Sequence, residues 1–304
     1  MQYVAGDWGT SRLRLWRVID GRIAAAATGP GIAALGDLPA AARAAQLAAL
    51  LPAAGNDRTR PRVLLAGMAG SRNGLVEAPY VRLPADRAAW QAAACRRRLG
   101  GLDLTIAAGV AAADGARPDV MRGEETQLFG ALRLAPALRS RSRLAVLPGT
   151  HSKWVAIEDC VIRAFRTCMT GELYELLARR STLVVSPTPT TASDAAEEEA
   201  GFEAGLARAG TAGFAGLFEA RAAQLLDGRS PSWAAGWLSG FLVGSEIREL
   251  APTFGEPASV HLVADGTLAA RYARALAHAG IAAQTLDPAT CTIAGLELLL
   301  EEAG

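Results

Sequence analysis

Two turns of this chain are made of small and hydroxyl-bearing residues, each directly after a short apolar strand. They are Asp7-Trp8-Gly9-Thr10-Ser11 and Leu147-Pro148-Gly149-Thr150-His151-Ser152-Lys153. Such turns can offer backbone N–H groups and hydroxyls to an anion, and glycine lets the backbone approach it closely. Hairpins use the same residues for conformational reasons alone, so one such turn would mean little. Two of them, one opening each half, are less easily explained by turn chemistry. Asp7 adds a carboxylate beside the first turn. Next to a phosphate it would repel the ligand unless a divalent cation or a transferable proton intervenes. Mg²⁺ held by a carboxylate, phosphates and waters is the ordinary solution. An Asx-turn role would suit Asp7 as well.

The elements that must position these turns follow from periodicity. Residues 3–5 read as a strand, residues 12–19 alternate as a second, and Asp20-Gly21 is a strong hairpin signal before a third at 22–28. The second turn has the same setting: strands at 144–147 and 154–157, a tight turn at Glu158-Asp159, and a strand at 161–165. Between them the pattern predicts a helix over 38–51 and a buried strand over 62–66, which enters the loop Gly67-Met68-Ala69-Gly70-Ser71-Arg72-Asn73-Gly74. A helix over 85–98, a strand over 102–107 and a helix over 124–134 follow. Residues 181–193 read as a loop. The remainder is mainly helical (193–209, 212–226, 231–250), with a strand at 260–263, a helix to 278, a strand at 281–285 and a helix over 291–302. Strands mixed with helices in two similar halves predict an α/β protein. The stretch Asp114-Gly115-Ala116-Arg117-Pro118 predicts a division into residues 1–116 and 117–304.

Composition removes several classes of function. The 304 residues can bury a sizeable core. The 31 basic and 30 acidic residues give +1, so no basic field points to nucleic acid. No apolar run approaches the roughly 20 residues of a membrane span. The N-terminus lacks the basic region of a signal peptide, and the four cysteines form no CxxC pair, so a cytoplasmic protein with reduced thiols is expected. Three histidines without clustered cysteines argue against structural zinc. The absence of GxxxxGK[ST] and of a strand-GxGxxG-helix unit disfavours a P-loop NTPase and a Rossmann dehydrogenase. Among the 31 basic residues only Lys153 is a lysine. Its place in the second turn would let an ammonium meet phosphates.

The two turns resemble the phosphate motifs of the sugar kinase, actin and heat-shock chaperone superfamily, and Val263-Ala264-Asp265-Gly266-Thr267 resembles its adenosine motif. More narrowly, five stretches resemble the 2-dehydro-3-deoxygalactonokinase family. They are Gly67-Met68-Ala69-Gly70-Ser71, Ala78-Pro79-Tyr80, Val120-Met121-Arg122-Gly123-Glu124-Glu125-Thr126-Gln127, residues 147–154, and Phe165-Arg166-Thr167-Cys168-Met169-Thr170-Gly171-Glu172-Leu173. The resemblance covers Asp7 to about Tyr272. It implies two ribonuclease-H-like (actin-like ATPase) domains flanking a nucleotide and sugar cleft. It also implies ATP-dependent phosphorylation of 2-dehydro-3-deoxy-D-galactonate at its terminal hydroxyl, in D-galactonate catabolism.

The resemblance assigns ATP to Asp7, Gly9, Thr10, Ser11, Gly149, Thr150, His151, Lys153, Gly266 and Thr267, with magnesium at Asp7 through water. His151 would suit a structural loop role equally. In related sugar kinases a carboxylate shortly before the second phosphate motif is the general base, usually an Asp; here the position offers Glu124 and Glu125. Adjacent helical residues point about 100° apart, so one at most faces the reacting hydroxyl. Glu124 is favoured, and helix-dipole charge alone would account for Glu125. The substrate carboxylate suits a guanidinium, for which Arg14, Arg72, Arg122 and Arg166 are candidates. Ser71, Asn73 and Tyr80 are candidates for the hydroxyls, a turn role for Asn73 and a core role for Tyr80 remaining open. Trp8 and Trp154 would buttress the phosphate turns. The competing readings are a kinase of another 2-keto-3-deoxy sugar acid or hexose, and a non-catalytic actin-like ATP-binding module. The 121–127 string counts against the second. The sequence leaves the stereochemistry of the sugar acid open, and a homodimer as well.

Overall fold

The computed structural model describes residues 1–55, 61–112, 117–139, 142–184 and 192–301. The chain begins with β1 (Gln2–Trp8), β2 (Arg12–Ile19) and β3 (Arg22–Pro30), then α1 (Ala40–Leu50), β4 (Arg62–Gly67) and β5 (Tyr80–Arg82). Next come α2 (Arg87–Ala92), β6 (Cys95–Leu99), β7 (Leu102–Ile106), β8 (Gly109–Ala112), β9 (Asp119–Met121) and α3 (Glu124–Leu134). A second meander, β10 (Ser142–Leu147), β11 (Ser152–Glu158) and β12 (Val161–Cys168), leads to α4 (Thr170–Arg180), α5 (Ala192–Arg208), α6 (Glu219–Leu226) and α7 (Pro231–Thr253). The chain closes with β13 (Ser259–Val263), α8 (Gly266–His278), β14 (Ala282–Leu286) and α9 (Pro288–Leu298).

The larger sheet runs β3-β2-β1-β4-β7-β6 and the second β12-β11-β10-β13-β14. With the edge strand β6 set aside, the two orders are the same. In the first, β2 is antiparallel to β1, and β4 and β7 continue parallel to it. In the second, β13 and β14 likewise continue parallel to β10. Both meanders turn with positive φ at two successive residues, Asp20 (48°) and Gly21 (75°) in one, Asp159 (49°) and Cys160 (65°) in the other. Two left-handed residues make the hairpin turn that matches strand twist. Asp20-Gly21 announces this in the sequence; Cys160 adopts it against its own preference.

By compactness the chain falls into two units. The first comprises Met1–Arg143, Ile157–Phe165 and Asp287–Gly304; the second comprises Leu144–Ala156 and Arg166–Leu286. The position expected for a boundary, 116/117, lies between β8 and β9. These pair antiparallel in a small sheet of order β5-β8-β9. Residues 113–116 lie outside the described ones.

In the first unit α1 and α9 take opposite faces of the sheet. Val4 packs in one core with Leu13, Leu15 and Leu65 and with Ala44 and Leu47 of α1. Tyr3, one residue back and so on the other face of β1, donates its hydroxyl to Glu297 of α9 at 2.6 Å. Helix α3 then packs on α9 at backbone distance. A Cβ on Gly130 would fall on the Cys291 carbonyl oxygen, and one on Gly295 on that of Thr126. The second unit repeats the device between α5 and α7. Gly201 and Gly205 meet the carbonyls of Trp233 and Trp237, and Gly236 and Gly240 meet those of Glu198 and Phe202.

Three expected elements differ. The helix over 85–98 stops at Ala92, and Cys95–Leu99 is the edge strand β6, antiparallel to β7. The Gly100-Gly101 turn has positive φ at both residues, and Arg98 meets its register partner Asp103 at 2.9 Å. Pairing with the sheet overrides the helix propensity of Ala and Arg. The helix over 212–226 is broken into a 3-10 turn, Gly213–Phe218, and α6. The last helix starts at Pro288, with the Asp287 side chain accepting from the Thr290 N–H at 2.7 Å, and ends at Leu298.

Gly130→Ala is expected to lower stability by about 1–3 kcal/mol, the usual cost of overfilling a close-packed contact. Urea denaturation checks it; an unchanged midpoint would mean that α3 and α9 have room for a methyl group.

Candidate active site

In parallel α/β sheets, ligands bind beyond the carboxyl ends of strands where the strand order reverses. In the first unit that place is the end of β1 and β4. Asp7 stands in register with Ala66 and Trp8 with Gly67, so the first small-residue turn and the loop after Gly67 leave the sheet side by side. The carbonyls of Gly9, Thr10 and Ser11 are turned inward. They accept from the N–H groups of Ile32 (3.1 Å), Ala33 (3.1 Å) and Gly31 (3.2 Å). A Cβ on Gly31 would overlap the Thr10 carbonyl. With the carbonyls held from behind, Thr10 and Ser11 are left exposed. Trp8, buried beneath, donates its indole N–H to the Pro30 carbonyl at 3.1 Å, which is the buttress the sequence suggested.

Asp7 sits opposite Arg14 in the β1–β2 register, and the Arg14 Nη2 meets its Oδ2 at 2.6 Å. Its Oδ1 looks toward Gly67, where a Cβ would stand 3.2 Å away. Gly67 has φ 77°, and a Cβ on Gly123 would lie 3.2 Å from the Gly67 Cα. Thus α3 starts against the end of β4. Its first two residues diverge. Glu124 is partly exposed, and its Oε2 accepts from the Arg122 N–H at 3.1 Å. Glu125 is fully buried; its Oε2 accepts from the Gly123 N–H at 2.7 Å and its Oε1 from the Thr126 hydroxyl at 3.0 Å. Burial, and secondarily the charge of Glu124, pushes the Glu125 carboxyl up to about 8. One glutamate is therefore open to solvent beside the loops, and the other is an internal acid that ties off the helix start.

Arg122 binds the Gly-rich loop to the small sheet. Its Nη2 donates to the Ala78 carbonyl at 2.8 Å, its Nε to the Tyr80 hydroxyl at 3.3 Å, and its guanidinium lies 4.2 Å above the Tyr80 ring. Its Nη1, buried beside Gly70, has no hydrogen-bond partner among the described residues. Tyr80 is exposed, so it is not a core residue. The Ser71 hydroxyl donates to the Met68 carbonyl at 2.8 Å, a turn contact, while Arg72 and Asn73 are exposed.

The second unit builds the same arrangement at the ends of β10 and β13, paired in parallel through Val146 and Leu262. Here the 148–151 turn and Ala264-Asp265-Gly266-Thr267 leave one sheet side by side. Gly266 (φ 55°) and Thr267 are exposed at the start of α8, whose first N–H groups have no helical acceptor. Again the turn is closely backed. A Cβ on Gly171 would fall on the Gly149 carbonyl, and the Glu172 N–H donates to the Thr150 carbonyl at 3.0 Å. The Glu172 carboxylate meets His151 Nε2 at 2.6 Å. Lys153 is not in the turn. It is buried in β11, and its Nζ donates back to the His151 carbonyl at 3.1 Å. Trp154, expected to buttress this turn, is fully buried and donates its indole N–H to Glu246 at 2.8 Å. Arg166 is half-buried on β12, in the second unit. Among the described residues no three His, Cys, Asp or Glu side chains cluster as a metal site, and no helix is long and apolar enough to cross a membrane.

Sequence reasoning missed Gly31, Thr170 and the structural tasks of Gly171 and Glu172. Glycine, threonine and glutamate are too common to mark a backing role. It also missed Glu246, the one acid in the long apolar run 233–247, where its isolation was a usable signal.

Two sheets of one order, each with a small-residue turn at the carboxyl end of its first strand, define the actin-like ATPase fold shared by sugar kinases. The activator of 2-hydroxyisocaproyl-CoA dehydratase from Clostridium difficile, solved with bound ADPNP, has that fold. Its TM-score is 0.55 at 12% identity, over 100% of this chain and 96% of that one. The chain belongs to the 2-keto-3-deoxy-galactonokinase family, whose model matches residues 7–299. A Rhizobium meliloti (strain 1021) protein named as a 2-dehydro-3-deoxygalactonokinase is 36% identical over 309 residues, covering 97% of this chain and 95% of the relative. The Escherichia coli (strain K12) 2-dehydro-3-deoxygalactonokinase is 36% identical over 282 residues, 90% and 89% of the two chains. A crystal structure described as this kinase from Sinorhizobium meliloti superposes with TM-score 0.83 at 34% identity, over 98% and 95%.

The state of Glu125 predicts a pH dependence of stability. Below about 4.5 its carboxyl is protonated in both folded and unfolded chain; between about 4.5 and 8 the unfolded chain ionises while the folded one keeps its proton, so its contribution is lost. Glu125→Gln keeps the acceptor for Gly123 and cannot ionise. Its unfolding free energy relative to the parent, from urea denaturation, is expected to rise from pH 5 to pH 8 by on the order of a few kcal/mol. A constant difference across that range would show that Glu125 ionises normally.

Proposed function

We propose that the protein is an ATP-dependent kinase of 2-dehydro-3-deoxy-D-galactonate. It would phosphorylate the terminal hydroxyl to give 2-dehydro-3-deoxy-6-phospho-D-galactonate in D-galactonate catabolism. Membership of the family and the names of the full-length relatives support the substrate. The observation that carries the mechanism is the divergence of Glu124 and Glu125 at the start of α3. Only Glu124 has solvent access beside the loop after Gly67.

In this reading Glu124 takes the proton of the terminal hydroxyl as its oxygen bonds to the γ-phosphorus, and the bond from that phosphorus to the ADP oxygen breaks. A positioned base contributes about 10²–10⁴-fold. Most of the remaining acceleration comes from orientation and charge neutralisation. The outward groups of Gly9, Thr10 and Ser11, and of Gly149, Thr150 and His151, suit phosphate oxygens, and Gly266 and Thr267 suit the nucleoside side of ATP. Asp7 fits magnesium held through water. Its Oδ1 is a hard oxygen donor, and the missing side chain of Gly67 leaves space beside it. When bound, the ion would neutralise phosphate charge. Arg72, exposed in the glycine loop, and Arg122, with an unmet buried donor, are the best placed of the four arginines for the substrate carboxylate. Ser71, Asn73 and Tyr80 lie on the same loop and strand for its hydroxyls. ATP as donor supports a cytoplasmic enzyme.

Glu124→Gln is expected to lower kcat more than tenfold with ATP affinity nearly intact; unchanged turnover would move the base to Glu125 or Asp7. Turnover of a panel of 2-keto-3-deoxy sugar acids with ATP tests the substrate, and no reaction with the galactonate-derived acid would reject it. Lys153→Arg is expected to raise the KM for ATP, because a buried site shaped for an ammonium does not accept a planar guanidinium. Wild-type kinetics would show that charge alone matters there.

A further inference from the structure

Behind the second turn lies a buried polar cluster that the proposed chemistry does not use. Glu246, on α7, is 3% exposed. Its Oε1 accepts from the Trp154 indole N–H at 2.8 Å. Its Oε2 accepts from the Tyr272 hydroxyl at 2.6 Å and from the Thr170 hydroxyl. The Ser152 hydroxyl meets the Tyr272 hydroxyl at 2.8 Å and closes the chain of bonds. Ser152, Trp154, Thr170 and Tyr272 are each buried.

Every partner bears on the turn. Ser152 and Trp154 flank Lys153 at the start of β11, directly after it. Thr170 starts α4; the next residue, Gly171, lets α4 approach the Gly149 carbonyl closely, and Glu172 donates its N–H to the Thr150 carbonyl. Tyr272 brings in α8, the helix that begins at Gly266. One carboxylate thus ties together the end of the turn, the segment that backs it, and the helix of the neighbouring loop. The charge balance also fits. An indole N–H can only donate, and a carboxylate accepts from three donors without giving one. Burial pushes the Glu246 carboxyl up, and the bonds from Thr170, Tyr272, Trp154 and Ser152 pull against it. A burial cost kept at one acid in an apolar helix calls for a compensating task.

We propose that Glu246 is a positioning residue for nucleotide binding. Through Ser152, Trp154, Thr170 and Tyr272 it holds the 148–151 turn in the conformation that receives ATP phosphates. This rests on the reading of that turn as a phosphate site. It adds a residue that never touches the nucleotide, and it assigns it to ATP rather than to the sugar acid.

Glu246→Gln keeps the shape but carries no charge, and its amide N–H groups can meet the Tyr272 and Thr170 hydroxyls only by reversing the direction of those bonds. Thr170→Val removes one donor to the same carboxylate, and Thr170→Ser restores it. Titration with ATP, together with KM for ATP and for the sugar acid, separates the roles. Glu246→Gln and Thr170→Val are expected to weaken ATP binding and raise its KM at least tenfold. KM for the acid should change less than twofold, and Thr170→Ser should lie near wild type. Equal increases in both KM values, or wild-type ATP binding in both Glu246→Gln and Thr170→Val, would overturn the proposal. If Glu246→Gln does not fold, the two Thr170 variants decide it. Wild-type protein that binds no ATP would instead overturn the kinase reading, so the two failures are distinguishable.

Discussion

A backbone that binds an anion must keep its own carbonyls out of the way. That requirement organises both halves of this chain. A peptide carbonyl is as strong an acceptor as its N–H is a donor, and a turn showing both to a phosphate would gain little. Here the carbonyls of the first turn are taken by the N–H groups of Gly31, Ile32 and Ala33, and that of Thr150 by Glu172. In each case a glycine, Gly31 or Gly171, stands where a side chain would push the backing strand or helix away. The identical strand orders and paired loops make these backings equivalent solutions to one problem.

The same economy governs the acids. Glu124 and Glu125 share a helix start, yet burial divides them into an outward carboxylate and an internal proton-holding group. The division depends on how closely α3 is seated, which Gly130 and Gly295 set from one side and Gly67 and Gly123 from the other. In the second half Glu246 lies on a helix fixed by Gly236 and Gly240. The chemistry is carried by acids, hydroxyls and amides, but their placement is set largely by residues with no side chain.

Much of this was legible in the sequence. The two meanders, their turns and the start of α3 are local features, written in alternation, in Asp20-Gly21 and in Arg122-Gly123-Glu124. What was not legible is long-range. Cys95–Leu99 carries helix-forming residues but pairs with β7. Cys160 takes a turn conformation that its side chain does not favour. Lys153 reads as a turn residue because Gly149 to Ser152 are of turn-forming types, although β11 has already begun at Ser152. Thr170 and Glu246 are 76 residues apart, and no periodicity links them. The start of α4 at Thr170 was not legible for a similar reason, since it is tied to Glu246 on α7.

The position of α9 has a consequence for biogenesis. Among the described residues this helix is the last element along the chain, yet it packs on β1, β4 and α3 in the unit whose first strands are made earliest. The first unit's core therefore stays open until α9 has been made, and the glycine face of the helix carrying Glu124 has no α9 to meet before then. Contacts of such long sequence separation slow folding and leave apolar surface exposed meanwhile. The second unit, apart from its boundary strands, is made of continuous chain and has no such wait. The helix start that carries Glu124 is thus fully seated only once a much later segment of the chain arrives.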